Sequence, residues 1–137
     1  MTTMTTETVA ITIDAPLRQV ATDLADPARH PDWATEFFSG PARKTDEDWV
    51  VPVPRMGGDA RLKIEADVAT GRIDMFLAPL GAPFGPPLPV RVVPNGDGCD
   101  VLFTLARFPG QDDETWDSGL ASMRRELEQL RALYEND

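Results

Sequence analysis

Spacings of 4, 3, 4, 3 and 4 residues separate Trp116, Leu120, Met123, Leu127, Leu130 and Tyr134. That rhythm sets one apolar face along an α-helix of some 20 residues, about 30 Å long. Asp112, Asp113 and Glu114 stand at its start, where the positive end of the helix dipole favours acidic groups. A helix with a single apolar face must bury it against another element. The rest of the chain has to supply that element.

It supplies strands. In residues 8–14, Val9, Ile11 and Ile13 alternate with Thr8, Ala10 and Thr12, the pattern of a half-buried strand. Asp14 suits a helix cap and Pro16 a first helical turn, so a short helix is expected from Leu17 to near Asp26. Asp26 and Pro27 restart a helix. Pro31 lacks an N–H and kinks it, so residues 27–34 read as a helical corner that gathers His30, Asp32 and Trp33. Phe37 and Phe38 are expected to begin a second extended stretch. Strands follow at residues 49–54, 61–68, 72–77, 89–93 and 99–108, with turns at Gly57-Gly58, Thr70-Gly71 and Asn95-Gly96-Asp97-Gly98. Pro52 and Pro54 mark an edge or a strand end. Residues 79–89 hold five prolines and form an irregular loop of the kind that often carries function. Residues 1–7 are expected to be a disordered tail and residues 8–137 a single domain.

Charge narrows the partners. The chain has 137 residues, ordinary for one domain, and a formal net charge of −10. Such a surface repels phosphate backbones and anionic headgroups, so neither nucleic acid nor a membrane surface is an expected partner. Cys99 is the only cysteine and His30 the only histidine. No intrachain disulfide can form, and zinc would need carboxylates to complete its usual four ligands. No His-Glu-x-x-His, phosphate-loop or dinucleotide fingerprint is present, so neither a metal nor a cofactor is expected. The first six residues carry no positive charge and no apolar run, so no signal peptide is expected and the default location is the cytoplasm.

Two segments carry a family likeness. One is Ile13-Asp14-Ala15-Pro16-Leu17-Arg18-Gln19-Val20, followed by Leu24-Ala25-Asp26-Pro27-Ala28-Arg29-His30-Pro31-Asp32-Trp33. The other is Arg91-Val92-Val93-Pro94-Asn95-Gly96-Asp97-Gly98-Cys99, leading into Val101-Leu102-Phe103-Thr104-Leu105. Together with the element order, they resemble the START-like (SRPBCC) superfamily over residues 8–135. The resemblance implies an α+β helix-grip fold. In it a curved antiparallel sheet of six to seven strands wraps around the long C-terminal helix, and two short helices follow the first strand. It also implies a cavity between sheet and helix. Members of the superfamily include polyketide aromatases and cyclases, hydroxylase accessory domains, lipid carriers and chaperone co-activators.

Within such a cavity His30 is a candidate general base, since it alone titrates near neutral pH unperturbed. Its other reading is a surface histidine on a helical corner. Asp74 is the second catalytic candidate. By strand parity it faces away from the core and is solvated; a bulge would turn it inward as a buried carboxylate, with Arg72 or Arg91 as its partner. Trp33, Phe37, Met75, Arg91, Trp116 and Met123 are candidate ligand contacts, several of which also suit a core. Phe84, on the proline-rich loop, reads either as a lid over an apolar ligand or as an anchor for the loop. Arg55 and Arg61 flank the Gly57-Gly58 turn, where they suit a ligand carboxylate or surface ion pairs. Ser39, Ser118 and Ser122 lack a nucleophile-elbow setting.

Three functions compete. A carrier or sensor of a small hydrophobic molecule needs an apolar pocket with few polar groups. A cofactor-independent cyclase, dehydratase or isomerase needs a buried acid or base as well. An interaction module would grip a partner through the proline-rich loop or a sheet edge, and a homodimer fits that reading.

Overall fold

Alternating β-branched and polar residues build a seven-stranded sheet in the computed structural model, which describes residues 3–135. Met1 and Thr2 of the expected tail, and Asn136 and Asp137 of the expected domain, lie outside the described residues. The strands are β1 (Thr6–Ile13), β2 (Arg43–Lys44), β3 (Trp49–Val53), β4 (Gly58–Asp67), β5 (Arg72–Pro79), β6 (Leu88–Asn95) and β7 (Gly98–Ala106). They are ordered β1-β7-β6-β5-β4-β3-β2, and every neighbouring pair is antiparallel. Helix α1 (Leu17–Leu24) and a 3-10 segment (Pro27–Asp32) follow β1, and helix α2 (Asp113–Ala132) follows β7. This is the α+β helix-grip arrangement.

One row of side chains shows how the core forms. Val9 of β1 faces Phe103 of β7, Phe103 faces Val90 of β6, and Val90 faces Ile73 of β5. All four are buried, and they share the inner face because side chains alternate along each strand. Helix α2 brings Leu120, Met123, Leu127 and Leu130 to the core, with Trp116 and Tyr134 packed at its margins. Leu127 and Leu130 are each 1% exposed, and burying such a side chain contributes roughly 1.5–3 kcal/mol. Asp112 caps α2, its carboxylate accepting the Thr115 N–H at 2.7 Å.

Several local expectations change. Strand β1 starts at Thr6, so Thr6 and Glu7 belong to the sheet rather than the tail. Asp14 does not cap α1; the Pro16 carbonyl accepts the first helical N–H groups, from Gln19 and Val20. Asp26 does cap the 3-10 segment, accepting the Ala28 N–H at 3.0 Å. Phe37 and Phe38 lie in a turn, because their N–H groups are drawn to the Ala34 carbonyl. The short strand they were expected to begin comes later, at Arg43–Lys44. Pro52 sits in β3 beyond the reach of β2, which pairs only with Trp49 and Val50. No β2 partner is left without an N–H by that proline.

The sheet has a notch that positions the site. β6 pairs with β7 only from Val90 to Asn95, and with β5 only from Leu88 to Arg91. Pro89 has no N–H, and the β6–β7 ladder begins just after it. Beyond Leu88 no strand separates Leu77 of β5 from Leu105 of β7.

Candidate functional site

A cavity of about 260 Å³ lies between this part of the sheet and α2. Its sheet wall is Leu62, Met75, Leu77, Leu88, Phe103 and Leu105. These residues reach it because odd positions of β5 and β7, and even positions of β4 and β6, face inward. The segment after the 3-10 turn adds Trp33, Ala34, Phe37 and Phe38. Helix α2 adds Gly119, Ser122, Met123 and Glu126, whose spacing puts them on one strip of the helix. Arg55 completes the lining.

The wall is carbon except at one end. There Glu126 is 5% exposed, and its Oε2 accepts the backbone N–H groups of Glu36 at 3.1 Å and Phe37 at 3.0 Å. Among the described residues nothing donates to its other oxygen, Oε1. Burial pushes the Glu126 carboxyl above its ordinary value of 4.5, and the two N–H groups and Arg55 only partly offset this. Glu36 is the opposite case. Arg125 grips it with two hydrogen bonds of 2.7 Å, and Ser122 donates to it at 2.8 Å. Those bonds hold its carboxyl down to about 2. The two carboxylates therefore have different roles. Glu36 is a fixed anion that ties the loop to α2, and Glu126 is a buried carboxyl beside the cavity.

Of the ligand-contact candidates, Trp33, Phe37, Met75 and Met123 line the cavity, while Phe84, Arg91 and Trp116 do not. Trp116 packs at the edge of the core. Phe84 lies on the outer face of the sheet. It meets Phe76 edge-on at 6.0 Å, and the Arg61 guanidinium sits 4.2 Å from its ring centre. Arg61 also donates to the Ala82 carbonyl. The proline-rich loop is thus pinned to the sheet's back and does not act as a lid, because a cation and an aromatic partner await Phe84 there.

Both catalytic candidates also lie away from the cavity. Asp74 holds the outward parity of β5, opposite Glu65 and Pro89. Arg72 and Arg91 each donate to it at 2.9 Å. Partial burial pushes its carboxyl up, but the two guanidinium groups outweigh this and hold it below the usual carboxylate range. Neither the solvated nor the inward-turned form describes it; it is an ion-paired anion on the outer face. His30 is fully buried rather than on a surface or at a cavity mouth. Its Nε2 donates to the Leu24 carbonyl at 2.7 Å, which fixes the tautomer, and Nδ1 is enclosed without a partner. Burial lowers its pKa from 6.5 to about 4, so it stays neutral at pH 7.

Glu126 is the residue the sequence reading passed over. A signal for it exists: Glu126 lies three residues after Met123 and four before Leu130, inside the apolar arc of α2. A second hollow, of about 330 Å³, lies between α1, the 3-10 segment and the end of α2. Its polar groups already serve one another, Tyr134 donating to Asp23 at 2.5 Å and Arg29 facing Asp23 at 3.9 Å. Among the described residues no three His, Cys, Asp or Glu side chains gather as a metal site, and no helix is long and apolar enough to cross a membrane.

No protein-family model matches the chain, and no curated protein matches it. Solved structures do. CV1439 from Chromobacterium violaceum is similar with a TM-score of 0.68 at 19% identity, over 96% of this chain and 99% of that one. The Aha1 dimer from Colwellia psychrerythraea gives 0.66 at 15% identity, over 96% and 97%. DynU16, from the dynemicin biosynthetic locus, gives 0.60 at 18% identity, over 93% of this chain and 46% of its own. At these identities the likeness is one of fold: a seven-stranded antiparallel sheet closed over a long C-terminal helix.

Proposed function

We propose that this chain binds a small, mostly apolar molecule in the cavity between its sheet and α2, as a carrier or sensor. The observation that carries this reading is the lining. Twelve of the fifteen residues that bound the 260 Å³ cavity are apolar or glycine, and the three polar ones stand together. An apolar pocket with a few convergent polar groups suits a small organic ligand. The DynU16 neighbour's place in the dynemicin biosynthetic locus supports a role for this fold on small organic molecules. The dimeric Aha1 neighbour supports an assembly of two copies as well.

Native mass spectrometry of gently purified protein, followed by solvent extraction, tests the reading. A bound small molecule at one per chain is expected, or saturable one-to-one uptake of an apolar probe by the stripped protein. Folded protein that shows neither a bound molecule nor saturable uptake would overturn it.

A second reading has one observation behind it. Glu126 is a buried carboxyl of raised pKa beside the cavity, which suits a general acid or base in a cofactor-independent cyclase, dehydratase or isomerase. Turnover that vanishes in Glu126→Gln while ligand binding persists would favour it over simple carriage.

A further inference from the structure

The cavity is closed to most of chemistry by its size and by the isolation of its polar end. It is somewhat under twice the roughly 150 Å³ that encloses a benzene ring in an engineered apolar site. One ring fits with room to spare, and two fused rings fill the space. Gly119 helps to keep that space. It lies inside α2 and borders the cavity, and a Cβ built on it would meet nothing within 4 Å. A glycine inside a helix costs about 1 kcal/mol relative to alanine. Here it leaves room on the strip that also carries Ser122, Met123 and Glu126.

The polar end reads a single group. The Ser122 hydroxyl is spent on Glu36 at 2.8 Å. Arg55 has one weak side-chain bond, to Ser122 at 3.5 Å. Glu126 Oε2 is filled by two backbone N–H groups, which leaves Oε1 as the unused acceptor. A ligand carboxylate would meet the Glu126 carboxylate, and a ligand ammonium would meet Arg55. A neutral hydroxyl satisfies both neighbours, since it donates through its hydrogen and accepts through its oxygen. The geometry points to a ligand of one or two fused rings bearing one hydroxyl, whose O–H donates to Glu126 Oε1 while its oxygen faces Arg55. This inference rests on the binding reading above and adds the ligand's class.

Calorimetric titration of the full chain with phenol, 2-naphthol, naphthalene and 2-naphthoate tests it. An acceptor that an apolar guest strips of water without replacing the bond is costly, so 2-naphthol should bind about tenfold or more tightly than naphthalene and 2-naphthoate. In Glu126→Gln the amide oxygen can still accept the Glu36 and Phe37 N–H groups, so the fold should hold. The advantage of 2-naphthol over naphthalene should then shrink to about threefold or less. Gly119→Leu supplies an independent arm: 2-naphthol should weaken about tenfold while phenol is nearly unchanged. Equal affinity of the wild type for 2-naphthol and naphthalene would overturn the hydroxyl assignment and leave the apolar-binding reading intact. Tightest binding of 2-naphthoate would do the same and give the polar end to Arg55. Saturable binding of none of the four would bring down both.

Discussion

The carboxylate of Glu126 accepts the backbone N–H of Phe37 at 3.0 Å, across 89 residues of chain. A side chain of the last helix thereby fixes the loop that carries an aromatic wall of the cavity. The same oxygen holds the Glu36 N–H at 3.1 Å, and Thr35 donates to Gln129 at 2.7 Å, so the loop is tied to α2 residue by residue.

Cutting that tie should be costly. Glu126→Ala strands two N–H groups and is expected to lose about 2–3 kcal/mol of stability, whereas Glu126→Gln should lose about 1 kcal/mol. The pH dependence separates the two states of the carboxyl. Its folded pKa is raised, so the native chain holds more protons than the unfolded one above pH 4.5, and stability falls as pH rises through that window. Urea unfolding from pH 4 to pH 8 should show this as a stability advantage of the wild type over Glu126→Gln that shrinks as pH rises.

His30 should act in the opposite sense. Its pKa is depressed from 6.5 to about 4 by burial, so its contribution is full above pH 6.5 and is lost as pH falls toward 4. The shift corresponds to about 3 kcal/mol across that interval. His30→Gln should be less stable than the wild type at pH 7, through lost packing. It should also show a shallower loss between pH 6.5 and 4. A slope equal to that of the wild type would show that His30 does not drive the acid transition.

Asp74 lies on the far side of the sheet from the cavity, paired with Arg72 and Arg91 at 2.9 Å. Asp74→Asn should leave ligand affinity and any turnover unchanged and lower stability by about 1 kcal/mol or less. Affinity measured beside a thermal melt checks both halves. A large loss of binding with an intact melt would contradict the placement.

Phe84→Ala tests whether the proline-rich loop gates the cavity. It removes the contact with Phe76 and the Arg61 guanidinium. The loop should become a faster site of limited proteolysis, since the anchor contributes roughly 1–2 kcal/mol. Association and dissociation rates of an apolar probe should not change.

Much of this was legible beforehand, for a local reason. The stripe from Trp116 to Tyr134 and the alternations at Val9, Leu62 and Ile73 are periodic signals, and periodicity reports which face is buried. It also put Met75 and Met123 on inward faces, and both line the cavity, as do Trp33 and Phe37, which their size and apolar character had marked as candidates. What it could not carry was pairing between distant segments. His30 sits in the polar run Arg29-His30-Pro31-Asp32, and only the Leu24 carbonyl explains how it can be buried. Phe37 and Phe38 resemble the start of a strand until Glu126 and Ala34 claim the backbone of that segment. Phe84 looked free to cover a ligand because its partners, Phe76 and Arg61, lie on other strands. Glu126 falls between Met123 and Leu130, inside the apolar arc of α2, but a lone charge there does not say what it bonds.

The missing run of β6 beyond Leu88 has one more effect. The backbone of Thr104, Leu105 and Ala106 is bonded to β1 on one side and to no strand on the other. A ladder held from one side breathes more readily than one held from both. These amides should therefore exchange with deuterium sooner than those of Val101 and Phe103. Because Leu105 and Leu88 also wall the cavity, a guest seated there would act as a splint. Slower exchange at Leu105 on loading would show that the empty container is built with its loosest seam where its contents press.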